Sequence, residues 1–159
     1  MSVEEAITKI EKSLMIGKGR WIADFAESFR NYRIDDVTFD AFVHGNTRMK
    51  GFLLSRVFSA TVNPNYYVGC FMVSAERVKD LDKKRFAELV QSVRSRMKES
   101  EMRWTWLLIL SMRSTDTVRK LVESFKDQFV GVALIDVDSG KIVHSDSYIG
   151  KQAKRFIKI

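Results

Sequence analysis

The sequence predicts an α/β protein of the mixed α+β kind, in which a central mixed sheet of about five strands is flanked by helices. Three observations lead to this fold class. The composition, with 45% apolar and 30% charged residues, is that of a globular domain. Stretches with an apolar residue at every third or fourth position alternate with stretches that have one at every second position. Short turn signals, such as Asn63-Pro64-Asn65, indicate that neighbouring strands pair.

Two helices are predicted at the start of the chain. The first begins at Ser2, with Glu5 three residues later as a capping box, and ends near residues 17–19. The second is expected from Arg20 to Tyr32. Its apolar residues recur at three- and four-residue spacing, which is typical of a helix face in the core. These residues are Trp21, Ile22, Phe25, Ala26 and Phe29.

Three strands are predicted next. From Asp35 to Val43 apolar residues alternate with more polar ones, which indicates a strand with one wetter face. Two further apolar runs follow, Gly51–Ala60 and Tyr66–Ser74. Because the turns between them are short, the three strands are expected to form an antiparallel meander.

The longest helix is expected to cross over from this meander, from Ser74 or Ala75 to about Ser100. The strand that follows, Arg103–Ser111, carries large apolar groups on both faces, among them Trp104, so it is expected at the centre of the sheet. The remaining elements are a helix capped by Ser114 or Thr115, a strand over Val130–Val137, a hairpin to Ile142–His144 and a short basic helix over Tyr148–Lys158.

Composition also bounds the class of protein. We expect residues 1–159 to form one domain, since no linker or repeat interrupts them. The single cysteine, Cys70, has no partner for an internal disulfide, which favours a reducing compartment. The longest apolar run, Trp104–Leu110, is too short to span a bilayer. The expected location is therefore cytoplasmic, with no membrane partner.

The predicted order of helix, three-stranded meander, crossover helix and strand over residues 20–137 resembles the core of the restriction-endonuclease-like nucleases. In that family an aspartate on the second meander strand and a Glu-x-Lys or Asp-x-Lys triplet on the third support metal-assisted phosphodiester hydrolysis. Here the two strands read Gly51-Phe52-Leu53-Leu54-Ser55-Arg56 and Cys70-Phe71-Met72-Val73-Ser74, without any acid. The resemblance therefore implies a nuclease-like fold that lacks the usual catalytic motif, and no family residue is carried over.

An excess of basic residues points to nucleic acid as the partner. The net charge is +7, and residues 147–159 hold four basic side chains and no acidic one. Such a surface suits DNA or RNA phosphates, although on the long helix the interspersed acidic residues favour a solvated face instead. The leading prediction is a non-catalytic nucleic-acid-binding domain with no cofactor. Its predicted contacts are Lys79, Lys83, Arg94 and Lys98 on the long helix and Lys151, Lys154, Arg155 and Lys158 at the C-terminal end.

Two alternatives come from other classes of function. Asp36 and Asp40 have an even separation within a strand, and with Glu88 they could bind Mg²⁺ as the site of a metal-dependent nuclease. A polar sheet face explains the same residues. The other alternative is a homo-oligomeric interaction or regulatory module, for example a homodimer, in which exposed aromatic residues meet a partner.

Three further features are weighed against simpler explanations. His44 and His144 could together bind a metal or relay a proton only if the fold brings them close to each other. Cys70, within an apolar strand, is expected to be an inert core residue rather than a nucleophile. The loop Gly17-Lys18-Gly19-Arg20 could hold a phosphate at the start of the next predicted helix, but no strand precedes it and it lacks the pattern of a nucleotide-binding loop.

Overall fold

The computed structural model describes residues 1–16, 23–47, 67–78 and 81–159. In these ranges the chain forms helices and strands in one mixed sheet, which confirms the predicted α/β fold class, with six strands rather than about five. The predicted strand over residues 51–60 and the loop of residues 17–20 lie outside the described residues. The elements are α1 (Val3–Ile16), β1 (Ala23–Ile34), β2 (Val37–Thr47), β3 (Tyr67–Ser74), α2 (Lys83–Glu99), β4 (Met102–Ser111), α3 (Asp116–Ser124), β5 (Val130–Asp136), β6 (Ile142–His144) and α4 (Tyr148–Phe156).

The strands lie in the order in which they occur in the chain, from β1 to β6. Strands β1, β2 and β3 are antiparallel neighbours. Helix α2 crosses over from β3 to the parallel strand β4, and α3 crosses over from β4 to the parallel strand β5. Strand β6 is antiparallel to β5. The resemblance to restriction-endonuclease-like nucleases stays a prediction.

Strand β1 replaces the second predicted helix, and that prediction is wrong. The register with β2 shifts between Phe25 and Glu27, because an extra residue is accommodated there. Phe25 therefore stacks on Trp106 on one face of the sheet, whereas Phe29 stacks on Phe42 on the other face. Aromatic residues four positions apart imitate a helix face in the sequence, but the bulge places them on opposite faces of a strand.

A glycine in β2 permits this bulge. A Cβ atom on Gly45 would lie 1.8 Å from the backbone oxygen of Asp24. Only glycine allows the two backbones to approach so closely. The irregular pairing therefore depends on the sequence of β2 as well as on that of β1.

The sheet separates two apolar cores. On one face α1 and α4 pack against Trp104 and Trp106 of β4, which are 3% and 0% exposed. On the other face the core is formed by α2 and α3 with alternate residues of the same strands. The position of β4 between β3 and β5, with both faces buried, confirms that it is a central strand.

Side-chain caps define the starts of the helices. At α1 the predicted capping box is present, since the backbone N–H of Glu5 donates to the Ser2 hydroxyl and the Ser2 N–H donates to the Glu5 carboxylate. Helix α2 begins later than the predicted Ser74 or Ala75, because Asp82 caps it by accepting from the Arg85 N–H. Within the described ranges no helix combines the length and apolarity needed to cross a bilayer.

Candidate nucleic-acid interface

The structure divides the predicted basic residues between two faces of the sheet. Lys83 is the first residue of α2, whereas Arg94 and Lys98 lie in its C-terminal half. The C-terminal basic residues belong to α4 and to the residues that follow it, and α4 packs on the opposite face. Lys79 lies outside the described residues. The two predicted groups therefore do not form one continuous surface.

Helix α4 is held closely against the sheet, and its basic residues face away from the core. The indole N–H of Trp106 donates to the backbone oxygen of Ile149 over 2.9 Å. Gly131 of β5 lets α4 approach, since a Cβ there would lie 2.7 Å from the backbone of Gly150. The exposed positions on and after this helix include Lys151, Lys154, Arg155 and Lys158. They form a basic strip along α4 and the residues after it.

The face of the sheet toward α2 carries a pocket of about 350 Å³ with aromatic walls. Its rings come from three strands, and α2 and the start of β4 complete it. We call it the aromatic pocket. It is lined by Phe29, Tyr32, Phe42, His44, Tyr67, Arg96, Ser100 and Met102.

The walls of the aromatic pocket are ordered by ring contacts. The Phe29 and His44 rings are nearly parallel, with 8° between their planes and 5.8 Å between centroids. Phe42 is only 3% exposed, and its ring centroid lies 4.7 Å from that of Tyr32. Phe29 and Tyr67 remain 41% and 50% exposed, so much of their ring surface is open to a ligand. Offset and tilted rings at these distances stabilise one another.

Arg96 supplies a cation to the aromatic pocket. Its guanidinium carbon lies 5.5 Å from the centre of the Tyr32 ring, within the range of a cation–π interaction. Its Nη1 lies 3.3 Å from a carboxylate oxygen of Glu99. Its buried Nε has no hydrogen-bond partner within the described part of the chain. Tyr32 and Glu99 therefore hold the side chain in place, and the donors open to a ligand are those of the two Nη groups, of which the contact with Glu99 uses one.

A larger cleft of about 730 Å³ adjoins the aromatic pocket. We call it the basic cleft, because three cationic side chains line it beside the exposed rings of Tyr67 and Phe129. Those cationic residues are Arg94, Lys98 and Arg103. Two of them, Arg94 and Lys98, were predicted from the sequence as nucleic-acid contacts.

Two acidic residues, Glu101 and Asp127, also line the basic cleft, and Asp127 organises it. Asp127 accepts hydrogen bonds from Nε and Nη2 of Arg94, at 3.1 and 2.7 Å. It also accepts from the backbone N–H groups of Phe129 and Val130. Partial burial raises the pKa of Asp127, but these hydrogen bonds outweigh burial and the net pKa is lowered. The carboxylate therefore stays ionised at neutral pH and fixes the orientation of Arg94.

Tyr67 and Met102 line both the aromatic pocket and the basic cleft. The two depressions therefore meet at the N-terminal ends of β3 and β4. An extended ligand can place a flat ring in the first and a charged group in the second without leaving the surface. This combination of stacking groups and cations is the arrangement used by single-stranded nucleic-acid sites.

The predicted acidic site is only partly brought together. Asp36 and Glu88 line one cleft of about 440 Å³, together with Glu76. Asp40 is not among the residues that line this cleft, and its two carboxylate oxygens accept hydrogen bonds from the Ser74 N–H at 2.6 Å and from Arg77 Nε at 2.8 Å. No set of three or more histidine, cysteine, aspartate or glutamate side chains lies close enough to bind a metal within residues 1–16, 23–47, 67–78 and 81–159.

The two histidines are not joined by folding. His44 lies in β2 and bonds to Glu27 over 3.1 Å, whereas His144 lies in β6, four strands away. Four strand spacings correspond to roughly 19 Å. Cys70 is buried in β3, and burial raises the pKa of its thiol. This places Cys70 in the core as expected, in the neutral thiol form.

Sequence reasoning missed most of the aromatic pocket. The sequence predicts a helix core for Phe29, and the predicted nucleic-acid contacts do not include Arg96. One signal is present in the sequence of β2, where the large apolar side chain of Phe42 occupies the face that the alternation predicts to be more polar. A large ring at such a position indicates a surface that other residues or a ligand must cover.

Comparisons with protein-family models, with curated protein sequences and with solved structures find no match to this chain.

Proposed function

We propose that this chain is a nucleic-acid-binding domain that recognises single-stranded DNA or RNA and acts by binding rather than by cleavage. The observation that carries the proposal is the junction at Tyr67, where the aromatic pocket meets the basic cleft.

Bases and phosphates would be bound by different parts of this surface. The exposed rings of Phe29 and Tyr67 offer π faces on which any base can stack. Arg94, Lys98 and Arg103 offer positive charge to the backbone. Arg94 is already positioned by Asp127, so little side-chain freedom is lost when it binds a phosphate.

A single strand fits this surface better than a duplex. Stacking on Phe29 requires a base whose flat face is open, and bases inside a duplex are covered by their neighbours. A duplex can use only the cations, whereas a single strand can use the rings as well. We therefore expect binding to single strands to exceed binding to a duplex of the same length.

The metal-dependent nuclease remains the alternative to test. Asp36 and Glu88 share a cleft, which favours it, whereas Asp40 is occupied by Ser74 and Arg77. Under the binding proposal, DNA and RNA should remain intact during incubation with Mg²⁺ or Mn²⁺. Cleavage that purifies with the protein and disappears in Asp36→Asn or Glu88→Gln would favour the nuclease.

The proposal is tested by fluorescence anisotropy with labelled single strands and duplexes, across a salt series with and without Mg²⁺. For a single strand, the slope of the logarithm of the binding constant against the logarithm of the salt concentration should be about −0.7 for each phosphate contact. Lys98→Ala should weaken binding and flatten the slope. Lys83→Ala, at the other end of α2, is the matched control.

If the protein binds nucleic acid, two results would still contradict the proposal. One is equal or tighter binding of the duplex, since the rings would then contribute nothing. The other is an equal loss of affinity in Lys98→Ala and Lys83→Ala, since the position of the positive charge on α2 would then have no effect on binding. If neither strand form binds and the chain sediments as a dimer, the homo-oligomeric module becomes the better explanation.

A further inference from the structure

We infer that the aromatic pocket selects one guanine base from the bound strand and that Arg96 reads its edge. This inference rests on the proposed function and adds a base preference to it. It is carried by the geometry of the rings, by the unused donors of Arg96 and by the position of the basic cleft.

The pocket has the shape of a base-binding site. Its volume is about 350 Å³, and the Phe29 and His44 rings form a nearly parallel wall at 8°. A double-ringed purine covers more of this wall than a single-ringed pyrimidine does. Because stacking energy grows with the contact area, the walls favour purines.

Arg96 distinguishes between the two purines. The guanidinium presents only donors, and its Nη1 lies 3.3 Å from a carboxylate oxygen of Glu99. Guanine offers two adjacent acceptors, O6 and N7, which match two guanidinium donors. Adenine replaces one acceptor with the N6 amino group, a donor that would face the donors of Arg96. The cation therefore favours guanine over adenine.

The phosphate of the selected nucleotide has a place next to the pocket. Tyr67 separates the pocket from the basic cleft, where Lys98 is exposed. A base stacked inside the rings can thus direct its phosphate toward Lys98. The aromatic pocket and Lys98 thus hold the base and the phosphate of the same nucleotide, and contacts to other nucleotides of the strand are not required.

The experiment uses labelled pentathymidylates in which the central base is thymine, guanine, adenine, cytosine or 7-deazaguanine. Anisotropy should show that central guanine binds about 5- to 150-fold more tightly than central adenine. The 7-deaza analogue lacks the N7 acceptor and should lose most of that preference. This comparison uses the unaltered protein and needs no variant to fold.

Arg96→Lys keeps the charge but loses the paired donors, so it should reduce the preference for guanine while binding to pentathymidylate is retained. Arg85→Lys is the matched control. Arg85 also lies on α2 and forms the same 3.3 Å pair with a glutamate three residues later, Glu88. That variant should leave the preference unchanged.

The outcomes separate this inference from the proposed function. If none of the oligonucleotides binds, both fail. If all five bind equally, or if guanine and 7-deazaguanine bind alike, the guanine site is overturned while single-strand binding stands. A preference for guanine that persists in Arg96→Lys would also overturn the role of Arg96.

Discussion

Aromatic side chains on the two faces of the sheet have different surroundings. On the face toward α1 and α4, Phe25, Trp104 and Trp106 are at most 4% exposed. On the face toward α2, Phe42 and Phe71 are buried as well, but Phe29 and Tyr67 are 41% and 50% exposed. The residue types are similar, so the helix above each ring decides whether the ring stabilises the fold or remains available to a ligand.

The positions of the helices explain this difference. Helix α1 lies against β1 and β2 on one face, whereas α2 lies mainly against β4 on the other. The rings of Phe29 and His44 lie near the C-terminal end of α2, where Arg96 and the following Ser100 complete the pocket. Under the proposed function, bases are bound where the sheet is wider than its helical cover.

The largest effect is expected on the free energy of unfolding when the buried Trp106 ring is removed. Trp106→Ala should lower the free energy of unfolding by about 3–5 kcal/mol, because a large core side chain and its hydrogen bond to Ile149 are lost. Phe29→Ala should cost much less, since that ring is 41% exposed. Denaturant titration of both variants measures the difference. Equal costs would contradict the distinction between the two faces.

The next largest effect is expected on the affinity for single strands when the exposed Tyr67 ring is removed. Tyr67→Ala should weaken single-strand binding by about 1–3 kcal/mol, the usual contribution of one base stacked on an aromatic ring. Tyr148→Ala is the matched control, since Tyr148 is 52% exposed but lies on α4. Anisotropy titrations of the two variants should differ. A loss in Tyr148→Ala as large as that in Tyr67→Ala would move the site to the other face.

A smaller effect is expected from the C-terminal basic strip. Changing its four cations together to alanine should reduce the salt slope, by about 0.7 for each phosphate contact removed. The preference for single strands over duplexes should persist, because the strip lacks the exposed rings of the other face. Salt titrations with both strand forms provide the measurement. The four residues are Lys151, Lys154, Arg155 and Lys158. An unchanged slope would show that the strip does not contact the strand.

The smallest effect concerns acid stability on the α3 side. Hydrogen bonds from the backbone N–H groups of Ser139 and Ser114 lower the pKa of Asp136 from 3.8 to about 2. Because the folded pKa is the lower one, the stabilisation is complete above about pH 4 and is lost as the pH falls toward 2. Asp136→Asn should therefore flatten the pH dependence of unfolding in this range. An unaltered pH profile would contradict this role.

The sequence predicts elements whose signals are local. The Ser2 and Glu5 box, the alternation around Trp106 and the Thr115 cap all concern residues within one element, and all three are confirmed. Strand β1 was not predicted, because its bulge depends on Gly45 in the neighbouring strand. Long-range pairing overrides a local helical pattern in this case.

The candidate site could be predicted only in part for the same reason. Arg94 and Lys98 are recognisable because they lie one turn apart on a long helix. Their relation to Phe29 and Tyr67 depends on strand register across the sheet, which neither charge nor spacing specifies. Basic residues alone therefore indicated a partner class, whereas the aromatic surface that refines it emerged only from the fold.

The central claim is that exposed rings on the α2 face contact bases, and photocrosslinking tests it most directly. A single-stranded oligonucleotide that carries 5-iodouracil is irradiated with the protein, and the attached residues are mapped by mass spectrometry. We expect crosslinks at Phe29, His44 or Tyr67, which line the aromatic pocket. Crosslinks confined to Tyr148–Phe156 of α4 would contradict the account, because the bound strand would then lie on the opposite face.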